Sequence, residues 1–148
     1  MKKWIPALVA VSIAFTSLAH AGGRGGTEIG IASYGGGLGV IGAVGFPVRV
    51  PAFESSGVYL YGEAELGAGF TDERSAFGGD VSIGMLLPLE TGLDIYGSIG
   101  PSIGVRGSRN QFGLGGEVGL NIQVNNTHLF VEGGAHAINS YFAVGLRF

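Results

Sequence analysis

Glu63 and Glu65 stand two residues apart in an otherwise apolar stretch, and Glu117 and Glu132 stand alone in two others. Asp80 and Asp94 occur in similar settings. A carboxylate taken out of water needs a cation, a hydrogen-bond donor or a water molecule. The nearby groups able to serve are Arg106, His128, His136 and Arg147, fewer cations than anions. Such a set suits either a cation site or cation-conducting channel, or a hydrogen-bonded plug completed by Tyr59, Tyr61, Tyr96 and Tyr141. A third chemistry is hydrolysis, because His136, Ser140 and Glu132 are the residue types of a nucleophilic triad. Phosphate binding finds no support: the glycines at 35–37 are followed by no Gly-Lys-Ser/Thr. The chain has no Cys, so disulfides and thiolate metal sites are excluded, and no cofactor fingerprint or metal-ligand motif occurs.

What places these groups is a period of two. Val58, Leu60, Gly62, Ala64, Leu66, Ala68 and Phe70 form one set, and Tyr59, Tyr61, Glu63 and Glu65 the other. Alternate residues of a strand face opposite ways, so the two sets lie on opposite faces. The same pattern returns with Phe77 to Leu89 outward and Asp80 and Ser82 inward. Leu93 to Val105 follow, with Asp94, Tyr96 and Arg106 inward, then Phe112 to Val124, with Glu117 and Asn121 inward. Leu129 to Ala135 alternate with His128, Glu132 and His136, and Phe142 to Phe148 with Tyr141 and Arg147. Leu38 to Phe46 make a strand upstream, and the stretch around Glu28 to Tyr34 a weaker first one. His136 and Ser140 fall on opposite faces in this scheme, which argues against the triad.

Eight strands of roughly ten residues, apolar outside and polar inside, are the pattern of a transmembrane barrel. The fold class expected is all-β, an eight-stranded antiparallel up-and-down transmembrane β-barrel. Turns are expected at 35–37, 71–74, 90–92, 107–110, 125–126 and near 138–139, with a longer connection from Pro47 to Gly57 and no helix. Pro101 inside a strand removes a ladder bond and predicts a bulge. With both chain ends on one side, Phe70, Phe77, Phe112, Phe142 and Tyr34 gather at the far end and Phe46 and Phe148 at the near one, as two aromatic girdles. An eight-stranded barrel is only just wide enough for its own side chains. Its inward set here is rich in glycine, including Gly67, Gly84, Gly119 and Gly134, which leaves space for water or a slender ligand, or serves curvature and close packing.

The N-terminus has the three parts of a secretory leader: Lys2 and Lys3, an apolar run from about Trp4 to Leu18 broken by Pro6, and Ala19-His20-Ala21. Residues 1–21 are expected to be removed and 22–148 to form one barrel domain. Both lysines go with the leader. Six arginines against 11 acidic residues then leave a formal charge of −5, which excludes a basic nucleic-acid-binding surface. Mean hydropathy is +0.41, yet no later apolar stretch is long enough for a spanning helix.

The leader, the eight alternating strands and the ending Tyr141-Phe-Ala-Val-Gly-Leu-Arg-Phe148 together resemble the small bacterial outer-membrane barrels of the OmpA/OmpX type. The resemblance implies location in the bacterial outer membrane and contact with its lipids. It also implies that Phe142, Val144, Leu146 and Phe148 form the signal read by the barrel-assembly machinery, after handling by periplasmic chaperones. Adhesion members of the group carry long outer loops, whereas the outer connections here are short. Lipid A deacylases among such barrels carry His-x-Ser-Asn, whereas this chain has His136-Ala-Ile-Asn-Ser140. The expectation is a monomeric structural barrel without catalysis or cofactor. A narrow pore or cation binder is the alternative, and a lipid-modifying hydrolase the least favoured reading.

Overall fold

The computed structural model describes residues 24–148. The leader and its cleavage before Gly22 lie outside the described residues.

Eight strands run in order, each antiparallel to the next: β1 (Gly26–Tyr34), β2 (Gly37–Val48), β3 (Tyr59–Phe70), β4 (Ser75–Glu90), β5 (Leu93–Arg106), β6 (Arg109–Val124), β7 (Thr127–His136) and β8 (Asn139–Arg147). β8 pairs back onto β1, which closes the barrel. The even count puts residues 24 and 148 at one end, called here the terminal end. The distal connections are 35–36, 71–74, 107–108 and 137–138. Gly35 and Gly36 both hold positive φ, 59° and 87°, as a two-residue hairpin of the I′ kind requires. The expected turn at 107–110 is tighter, because Arg109 and Asn110 pair with Arg106 and Val105 and lengthen β6.

Two local expectations are corrected. The connection after β2 contains a short helix, α1 (Pro51–Glu54), begun by a proline whose missing N–H costs nothing in the first turn. Pro101 makes no bulge: it stays in register with Leu114, and the β4–β5 register shifts instead between Pro88 and Glu90. The glycine beside Pro101 explains this. A Cβ on Gly100 would lie 2.6 Å from Ser82 Cα, so only glycine lets β4 come close enough to hold the register past the proline.

The outward set forms an apolar belt, with Ile31, Leu66, Val81, Ile103, Leu114 and Val118 all exposed. Phe70 and Phe77 meet edge to face, with centroids 5.6 Å apart, in the distal girdle. Tyr34 is not part of that girdle. Its parity in β1 is that of Glu28, so it points inward and is fully buried. Arginine substituted on the belt at mid-height should lower bilayer stability by about 2–4 kcal/mol. Val81→Arg is expected to show this in urea titrations in lipid vesicles, and Glu73→Arg on a distal turn to show almost none.

The inward glycines have a clear use. Tyr61 stands opposite Gly84, Tyr96 opposite Gly119, Tyr141 opposite Gly134 and Phe130 opposite Gly145. Each ring lies on the bare backbone of its neighbour: a Cβ on Gly134 would sit 2.7 Å from Tyr141 Cζ, and one on Gly145 2.6 Å from Phe130 Cε1. The glycines therefore seat aromatic rings that fill the lumen.

Candidate functional site: the charged lumen

The centre of the lumen is Arg24, which precedes β1 and turns its side chain into the barrel. It is about 1% exposed. Nη1 lies 2.5 Å from Glu117 and 3.2 Å from Glu63, and Nη2 lies 2.5 Å from Glu28 and 3.4 Å from Glu132. These glutamates come from β1, β3, β6 and β7, so one guanidinium ties together strands all round the wall. Its Cζ sits over the Tyr96 ring, 3.4 Å from the centroid, where ring quadrupole and cation attract. Arg147 on β8 adds a second cation at this level, paired with Glu28 and, at 3.5 Å, with Glu63. Tyr96 donates to Glu132 at 2.5 Å and Tyr61 to Glu117 at 3.3 Å.

Above this ionic floor lies a second layer. Tyr141 donates to Glu65 at 2.6 Å, and His136 Nε2 is 2.8 Å from the same oxygen. On the other side of the ring, Nδ1 lies 2.8 Å from the Tyr34 hydroxyl, so both imidazole nitrogens are engaged. Tyr34 stacks on Tyr141 with centroids 5.9 Å apart. At the distal mouth, Asn139 donates to the carbonyls of Phe77 and Val105 and accepts from Arg106 Nε at 3.1 Å.

Among the groups expected to line the lumen, Glu63, Glu65, Glu117, Glu132, His136 and Arg147 converge. Asp80 points inward at the edge of this set, 3.9 Å from His136 Nε2. Arg106 lies at the distal mouth. Asp94 and His128 are half-buried near the terminal rim and take no part in the cluster. Arg24, Glu28, Tyr34, Phe130 and Asn139 are lumen residues that the sequence reading missed. Parity supplied a signal for Glu28 and Tyr34, since Ile29 and Ile31 face out and even positions face in. Arg24 precedes the first alternating stretch; the clue to it was the shortage of cations for so many glutamates.

His136 and Ser140 do not form the pair that hydrolysis would need. His136 is buried inside the barrel while Ser140 is exposed on the outer face, so the two cannot act on one substrate. What these lumen residues do is hold one another, through ion pairs near the terminal end and a tyrosine–histidine layer above them.

No protein-family model and no curated protein sequence matches the chain. Solved structures do match it in fold. Ail, the attachment invasion locus protein of Yersinia pestis, is 16% identical with a TM-score of 0.54, covering 84% of this chain and 100% of its own. The same protein in complex with the heparin analogue sucrose octasulfate gives 14% and 0.55, covering 83% and 97%. Neisserial surface protein A (NspA) is 11% identical with a TM-score of 0.51, covering 82% and 92%. At such identities the likeness concerns architecture, which is that of the small eight-stranded outer-membrane barrels.

Proposed function

We propose that this chain is a structural barrel of the bacterial outer membrane, with a closed lumen and a working surface that is its lipid-facing wall. The leader, residues 1–21, is removed in this reading, and Phe142, Val144, Leu146 and Phe148 serve as the assembly signal. The observation that carries the closed lumen is Arg24, seated among Glu28, Glu63, Glu117 and Glu132 and capped by the Tyr96 ring. An ion crossing the barrel would have to displace that guanidinium and part the Tyr34–His136–Tyr141 layer above it. The apolar belt supports the membrane location, since exposed irregular backbone is confined to the two ends. The short distal connections, 35–36, 71–74, 107–108 and 137–138, offer little surface for adhesion. An envelope-integrity role through the wall follows.

Planar-bilayer recording tests this reading. The protein is expected to give no resolvable channel events. Cation-selective events that vanish on Glu63→Gln or Glu132→Gln would defeat it in favour of a pore.

A further inference from the structure

The lumen floor is overloaded with negative charge. Among the described residues, Glu28, Glu63, Glu117 and Glu132 share Arg24 and Arg147, and Glu65 faces His136. Two overlapping trios bring one oxygen from each residue within 4.8 Å of the others: Glu63, Glu65 and Glu117, and Glu28, Glu65 and Glu132. Hydrogen bonding separates them. Both oxygens of Glu63 are engaged, by Arg24 and Arg147, and both of Glu117, by Arg24 and by tyrosine hydroxyls. In the second trio every residue keeps one buried oxygen with no partner: Oε2 of Glu28, Oε2 of Glu65 and Oε1 of Glu132. All three side chains are at least nine-tenths buried. An unpaired buried carboxylate oxygen is costly, and one on each member of a converging trio points to a positive ligand shared between the three residues.

We propose that Glu28, Glu65 and Glu132 hold a divalent cation of the calcium class inside the barrel. The donors are all hard oxygens, with no Cys or His in the trio, which favours calcium-like over zinc-like chemistry. Calcium–oxygen bonds of about 2.4 Å let one ion touch donors up to roughly twice that distance apart, as this trio is. Tyr96 and Tyr141, already bonded to Glu132 and Glu65, fix two of the three carboxylates in place. The ion would offset charge that the two arginines leave unbalanced, and it stands independently of the structural role proposed above.

Terbium(III) is a suitable probe, because tyrosines beside the site sensitise its luminescence. Protein purified in detergent and refolded without metal is expected to give saturable, one-site luminescence that calcium competes away. Glu65→Gln with Glu132→Gln should raise the half-saturating concentration about tenfold or more. Asp72→Asn with Glu73→Gln, on a distal turn, should leave it unchanged. No saturable signal, or equal signals from all forms, would overturn the site and leave protons and water as the occupants. Should the double variant fail to fold, the wild type decides. Its melting temperature must rise with calcium over a chelator and not with sodium at equal ionic strength, and an unchanged melting temperature overturns the proposal.

Discussion

Arg24→Met should lower the stability of the folded barrel by about 3–5 kcal/mol, the loss typical when one partner of a buried ion pair is removed. The guanidinium engages Glu28, Glu63, Glu117 and Glu132 together. Without it, four carboxylates face one another with only Arg147 nearby. The cost is that of stranded charges, so it should fall when the charges go too: Arg24→Met with Glu117→Gln and Glu132→Gln should recover part of the loss. Arg24→Lys should lie between, because a single ammonium lacks the planar fork that reaches several carboxylates. Urea unfolding in lipid vesicles measures all four forms. A neutral Arg24→Met would mean that the side chain does not occupy the lumen.

His136→Leu is the second large effect, expected at about 2–4 kcal/mol from the partners it leaves unpaired. The Tyr34 hydroxyl loses Nδ1, and Glu65 keeps Tyr141 but loses Nε2. Tyr34→Phe should cost less, and the pair should be non-additive, because the two changes remove one shared bond. Ser140→Ala should be close to neutral. That contrast separates a structural histidine from a hydrolytic one: a catalytic pair would lose turnover together with stability intact, whereas a structural His136 predicts a loss of stability that Ser140→Ala does not share.

The sequence showed most of the fold because a barrel wall imposes the simplest rule available. Every residue faces lipid or lumen, and Glu63 and Glu65 can face only one of them, so parity carries through each strand. Eight strands and their order followed from that rule alone. Errors arose where the rule is silent. Pro101 reads as a bulge until Gly100 is seen to let β4 approach. α1 lies in a connection, where no alternation exists. Tyr34 tolerates either environment by type, so being aromatic argued for the girdle while its parity argued for the lumen, and parity was right. The glycines looked like empty space because seating a ring opposite a bare backbone is a relation between strands, and a single strand's sequence does not express it. Arg24 was the largest omission. Nothing local marks it, since its role depends on four carboxylates that come from strands far along the chain.

The closure of the ring by Glu28 and Arg147 has a consequence for how the barrel is made. These residues are direct partners across β1 and β8, 119 positions apart in the chain. Contacts of such long range are among the slowest to form, because the whole intervening chain must be ordered first. Until then Glu28 and Glu63 lack the second arginine, Arg147, which arrives only with the last strand. A slip of one residue at the closing strands would turn Glu28 or Arg147 out into hydrocarbon. The charges at the two ends thus penalise a misregistered closure: the register in which Glu28 meets Arg147 is the one that lets the last strand satisfy the first.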